Sequence, residues 1–185
     1  MADSYLTIQS ASKGIYRDKG SKFLAFAHPV RTIDEVKELL DKYRKEYYDA
    51  RHVCYAYMLD PDQTEFRAND DGEPSGTAGR PILGQIRSNN LTCILVVVVR
   101  YFGGILLGTS GLIVAYKEAT ADALRNAEII EKAVMLPRTL RFPYEKMNEA
   151  MRTLKEINAH ILSQYWEDGL CVIHCEIEKK YENRI

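Results

Sequence analysis

Hydrophobic positions along this chain alternate between strand-like and helix-like spacing. Gly14-Ile15-Tyr16-Arg17 and Ser21-Lys22-Phe23-Leu24-Ala25-Phe26-Ala27 suit the two arms of a hairpin, with Asp18-Lys19-Gly20 as the turn. Ile33, Val36, Leu40, Tyr43 and Tyr47 then recur at helical spacing, and Thr32 with Glu35 matches a capping box. These positions predict an amphipathic helix of about four turns. His52 to Leu59 reads as a strand ending at Asp60-Pro61-Asp62, and a short strand around residues 64–67 folds back on it. A helix is expected from Pro81 to Ser88, with the proline at a first-turn position. The β-branched run Thr92 to Val99 suits a strand buried on both faces. A further helix, Thr109 to Ala127, carries the stripe Leu112, Tyr116, Ala119, Ala123 and Ala127, whose small residues allow close packing on a sheet.

Near residues 129–135 the order starts again. A strand (Ala133 to Phe142, interrupted by Pro137) precedes a helix from Tyr144 to Asn158 with Tyr144, Met147, Met151 and Leu154 on one face. Two strands follow, His160 to Trp166 and Leu170 to Ile177, joined by a turn at Glu167-Asp168-Gly169. This β-α-β-β order matches the first part of a ferredoxin-like sandwich. The remaining helix and strand need about twenty more residues, so either the sheet is short or the domain is incomplete. The expected organisation is α+β: a β/α domain over residues 1–130 and a ferredoxin-like domain over 131–185.

Composition narrows the classes. The chain has 185 residues, 46% hydrophobic and 28% charged, with a net charge of −1. A packed core is expected, and no basic excess advertises nucleic-acid binding, although a local basic stripe fits within a neutral total. The four cysteines, Cys54, Cys93, Cys171 and Cys175, form no Cys-x-x-Cys pair, and no secretion signal opens the chain. Reduced thiols in a cytoplasmic protein are the expectation. The longest apolar run, Cys93 to Val99, is too short to span a membrane.

Two segments concentrate chemistry. The first is Asp70-Asp71-Gly72-Glu73-Pro74-Ser75-Gly76-Thr77-Ala78-Gly79-Arg80-Pro81. Its carboxylates suit acid–base work or a hard cation, and Ser75, Gly76, Thr77 and Gly79 suit a backbone nest for phosphate. A plain tight turn is the simplest alternative. The second is Arg100-Tyr101-Phe102-Gly103-Gly104, between the buried strand and a helix. There the glycines permit close backbone approach, and free N–H groups near Thr109 suit an anion. No lysine follows as a P-loop requires, and the Rossmann spacing fails. His52 and Cys54 share one strand face, which admits a Cys–His nucleophile, though a buried cysteine is commonly a small hydrophobe. Cys171, His174 and Cys175 do not share a strand face and lack a fourth ligand, so no metal and no cofactor is called for.

The segments Asp70 to Leu83 (DDGEPSGTAGRPIL) and Val96 to Tyr116 (VVVVRYFGGILLGTSGLIVAY) resemble the signature of the IMPACT family, in its bacterial YigZ-type branch. Lys19 to Ala25 (KGSKFLA) and Ala50 to Ala56 (ARHVCYA) add to the resemblance, which covers residues 10–128. It implies an N-terminal domain of the ribosomal-protein domain-2-like β/α fold, akin to domain IV of elongation factor G. It also implies a ferredoxin-like C-terminal domain akin to domain V of that factor. The implied role is RNA or ribosome contact in translation regulation, and the leading expectation is a protein that does not act as an enzyme. On that reading Lys19, Lys22, Arg80 and Arg100 meet phosphate, Tyr101 and Phe102 stack or support the core, and Gly103 and Gly104 allow close approach. This chain has Ser110-Gly111 where the family shows two glycines, and Val114 where it shows arginine. A rival reading is an enzyme using the 70–80 carboxylates with His52 and Arg100. A third is a protein-interaction adaptor of the translation machinery. Oligomeric state leaves no mark in the sequence.

Overall fold

A computed structural model describes residues 2–185. The chain divides into two compact units, one over Tyr5–Lys132 and one over Ala133–Ile185 joined by residues 2–4.

The first unit is built on a five-stranded sheet. Strands β2 (Ser12–Asp18), β3 (Ser21–Pro29), β4 (His52–Met58), β5 (Phe66–Asn69) and β6 (Ile94–Tyr101) are ordered β2-β3-β6-β4-β5. Every neighbouring pair is antiparallel. β6 lies in the middle, and residues 94–99 are buried on both faces, as the apolar run predicts. Helices α2 (Gly79–Ser88) and α3 (Gly108–Arg125) cover one face over Phe23, Ala25, Cys54, Ala56, Val96 and Val98. Helix α1 (Ile33–Glu46) covers the other, over Phe26, Tyr55, Leu95, Val97 and Val99. A strand β1 (Ser4–Ile8), absent from the sequence reading, pairs with β7 (Ile129–Ala133) as a separate ribbon.

Local chemistry explains the boundaries. Thr32 Oγ1 accepts from Glu35 N as a capping box requires, but Glu35 Oε2 accepts from Arg31 N, one residue before the expected partner. The small-residue stripe of α3 lets it lie against the hairpin. A Cβ on Gly14 would stand 2.2 Å from Ala123 N, so only glycine permits this approach.

The second unit is a three-stranded antiparallel sheet, ordered β8 (Met135–Pro143), β10 (Leu170–Glu178), β9 (His160–Glu167). Helix α4 (Met147–Glu156) lies between β8 and β9 in the chain, and Leu154, Ile157, Phe142, Cys171, Ile173, Cys175 and Ile177 form its core. The 1-3-2 strand order is that of the first three strands of a ferredoxin-like sandwich. The sequence reading broke the strand at Pro137; instead one strand ends at Ala133, and Pro137 lies within β8 at a sheet edge, where a missing N–H is tolerated. Among the described residues, no helix is long and apolar enough to cross a membrane.

Candidate functional site

The loop between β5 and α2 supplies its own anion. Asp70 accepts hydrogen bonds from the backbone N–H groups of Gly76 (2.9 Å), Ala78 (3.2 Å) and Gly79 (2.8 Å). These are the donors a phosphate nest would offer, and the last two are orphan N–H groups at the start of α2. Asp70 therefore caps α2 from eight residues before its N-cap position, Ala78, which makes no side-chain cap of its own. Burial works against the charged form, but the N–H groups of Gly76, Gly79 and Ala78 together with Arg80 hold the carboxyl below its ordinary value. A phosphate cradle in residues 75–79 is thus replaced by an internal cap. Ser75 stays exposed, and Thr77 is buried with its hydroxyl donating to the Pro74 carbonyl.

The same folding carries Glu73 inward, to 7% exposure. Arg100 Nη1 donates to both of its oxygens, at 2.7 and 2.8 Å, and Tyr116 Oη donates to Oε2 at 2.6 Å. His52 Nε2 stands 3.1 Å from Oε1. The other ring nitrogen lies 2.7 Å from the Asp71 carbonyl oxygen, which can only accept, so Nδ1 carries a proton there. Asp71 also fixes the start of β4, its Oδ2 accepting from Val53 N at 2.7 Å. Gly72 passes close to the His52 ring.

Arg100 was expected to meet phosphate, but it is 5% exposed and held by Glu73. The reason is register: Arg100 lies opposite His52 in the β4–β6 ladder, on the face that α3 covers. Its Nε is buried with no hydrogen-bond partner. Such an orphan donor costs about 1–3 kcal/mol. Cys54 is fully buried; its single S–H has the Asp70 carbonyl (3.1 Å) and Tyr116 Oη (3.4 Å) within hydrogen-bond distance. Burial pushes its thiol well up, as it does the Tyr116 phenol, so neither is poised to ionise. Cys54 is a buried donor rather than the nucleophile that its spacing from His52 admitted.

The remaining expected residues mark the adjacent end of the sheet. Lys22 pairs with Tyr101 across β3–β6, its Nζ 5.4 Å from the ring centroid. Tyr101 donates to Asp49 at 2.8 Å, and burial with that bond raises its phenol to about 12. Phe102 lies beneath two guanidinium groups, Arg51 at 5.0 Å and Arg100 at 5.6 Å. Lys19 sits in the β2–β3 turn at φ 48°. That turn presses on Gly103, where an added Cβ would meet Gly20 C at 2.1 Å; Gly104 faces open space at φ 88°. Arg80 is exposed on α2, apart from Arg100's ion pair.

Between these features runs a cleft of about 340 Å³, lined by Arg51, His52, Glu73, Arg100, Phe102, Leu106, Leu107, Gly108, Thr109 and others. Sequence reasoning missed Tyr116 and Arg51. The signal for Tyr116 was a lone hydroxyl on an otherwise apolar, alanine-rich stripe; Arg51 precedes the strand and left none. Among the described residues, no group of three or more His, Cys, Asp or Glu is placed to hold a metal ion. His174 instead stands within hydrogen-bond distance of Thr139 and Tyr165.

An antiparallel β/α domain carrying a Glu–Arg–Tyr cluster that is buried and a partly exposed His52 beside it, followed by a second α/β unit, defines the class. The Impact N-terminal domain matches residues 19–124, which hold the whole cluster. The chain belongs to the IMPACT family. It is 38% identical over 135 residues to the IMPACT family member YvyE of Bacillus subtilis, covering 73% of this chain and 62% of that protein's length. It is 34% identical over 151 residues to YigZ of Escherichia coli, covering 80% of this chain and 74% of that protein. A crystal structure described as that of a hypothetical protein superposes with a TM-score of 0.82 at 29% identity, covering all of this chain and 90% of that one.

Proposed function

We propose that this protein contacts RNA or the ribosome and acts in translation regulation, in the cytoplasm where translation runs. The observation that carries this reading is the end of the five-stranded sheet. There Lys22 lies over Tyr101 and Arg51 over Phe102, with Arg17 near the end of β2 and Lys19 on the adjoining turn. Aromatic rings beside cations stack unpaired bases while the cations meet phosphate, with about 1–3 kcal/mol per stacked base. The phosphate contacts move from Arg100, which Glu73 neutralises, to the exposed Arg51 and half-buried Lys22. Membership of the IMPACT family supports a role in translation, and the two units are taken as its N-terminal domain and a ferredoxin-like C-terminal domain.

The test is titration of labelled single-stranded RNA and DNA across salt concentrations, with Lys22→Glu and Arg51→Glu compared with wild type. Affinity should fall with salt, and each variant should weaken binding and flatten the salt slope. Absence of binding at low salt, or variants that bind as wild type does, would sink the proposal.

Catalysis is favoured by one observation: Glu73 meets both His52 and Arg100, at 3.1 and 2.7 Å, as a shared reaction site needs. Glu73 also accepts from Tyr116, so acid–base work at Glu73 has to displace an existing partner. Generic ester and phosphodiester substrates, assayed with wild type and Glu73→Gln, test this reading. Turnover that is absent, or equal in the two proteins, rejects it.

A further inference from the structure

We infer that the cleft between Arg100 and the start of α3 is a binding site for a small anion, phosphate or carboxylate, that carries an apolar body. This does not rest on RNA contact; it concerns a pocket of about 340 Å³ rather than the sheet end.

Two independent features point to the anion. The first is Arg100, nine-tenths or more buried, which borders the cleft and has donor capacity the protein leaves unused. Nη1 is engaged by Glu73, whereas Nε has no partner. The second is the start of α3, an 18-residue helix whose N-cap, Leu107, makes no side-chain cap. Gly108 and Thr109 line the same cleft, which puts the start of a long helix, where first-turn N–H groups lack intrahelical acceptors, at its wall. Contrast α2, whose corresponding donors are taken by Asp70. The Glu73 carboxylate is offset by Arg100 and hydrogen-bonded to Tyr116, and exposed Arg51 on the rim adds a positive charge.

The apolar body follows from the remaining walls. Phe102, Leu106, Leu107 and Leu112 line the cleft, and Leu106 is 83% exposed. A leucine this bare beside buried polar groups marks where an apolar group gains by leaving water.

The experiment is an amide and arginine-Nε NMR titration of the full chain with phenyl phosphate, benzoate, inorganic phosphate and phenol. Phenyl phosphate or benzoate should shift the Arg100 Nε–H and the amides of residues 108–111, and whichever binds tighter identifies the head group. Arg100→Ala is unsuitable alone, since it strands Glu73. Thr109→Glu instead places a carboxylate in the first turn of α3, where the helix dipole favours it. This variant should melt no lower than wild type yet bind at least about tenfold more weakly, because its own charge fills the anion position. Leu106→Glu should weaken the phenyl compounds more than inorganic phosphate. Failure of every anion to move Arg100 Nε–H and the 108–111 amides overturns the site. Inorganic phosphate binding as tightly as phenyl phosphate, or phenol binding as tightly as either anion, overturns the ligand class. Loss of RNA binding in Lys22→Glu with these titrations unchanged would separate the two sites.

Discussion

Arg100 and His52 stand directly opposite one another in the antiparallel β4–β6 ladder, and one carboxylate, Glu73, reaches both. The carboxylate comes from a loop, not from the sheet, so this ladder position fixes where the loop must close. The cluster is therefore both the floor of the cleft and the anchor of residues 70–80.

Removing Glu73 leaves a buried, uncompensated guanidinium. Glu73→Ala should cost about 3–5 kcal/mol in a denaturant melt, while the double variant Glu73→Leu/Arg100→Met should recover much of it. A single variant that melts within about 1 kcal/mol of wild type would show that the pair is not buried in solution.

Asp70 gives the fold a defined acid limb. Its carboxyl is depressed in the folded state, so its contribution is complete above the unfolded value of 3.8 and is lost as pH falls through the lower folded value. Stability measured by urea melts should decline from about pH 5 downward, and Asp70→Asn should remove part of that decline. An unchanged acid limb in the variant contradicts the capping role.

Glycine positions should separate by what a Cβ meets. Gly103→Ala places a methyl 2.1 Å from Gly20 C and 2.4 Å from Ser21 N, both backbone atoms. It should destabilise by about 1–3 kcal/mol or more. Gly84, inside α2 with nothing within 4 Å, is the control. Gly84→Ala should stabilise by about 0.5–1 kcal/mol, and thermal melts that reverse this order would refute the packing at the turn.

All four cysteines are free and buried, and burial raises the thiols of Cys54, Cys93 and Cys175. An aromatic disulfide reagent at neutral pH should react slowly with native protein and fully after unfolding. A fast stoichiometric burst in the native state would mean that a thiol is exposed.

Elements whose residues repeat at one period were legible in the sequence. Helix α1 announced itself through Val36, Leu40 and Tyr43, and the central strand through its run of valines, because both bury a fixed face whatever surrounds them. β1 was not legible: Ser4–Ile8 is short and mixes polar with apolar residues, and its place depends on β7, more than a hundred residues later. The candidate site was half legible. Glycine and carboxylate density marked the right loops, but Asp70 was read as a possible ligand-binder when it is the loop's own cap.

The sequence by itself determined most of the strands and helices of the two units, that a valine-rich strand is buried on both faces, and which two loops hold the chemistry. Those are local properties, set by periodicity, turn residues and side-chain type. Only the tertiary structure decided that Arg100 faces inward to Glu73, that Tyr116 and Arg51 join the site, and that α3 starts uncapped at the cleft. Each depends on strand register and on contacts between residues tens of positions apart. Pairing across such distances is fixed by the geometry of the assembled sheet, not by any neighbourhood in the chain.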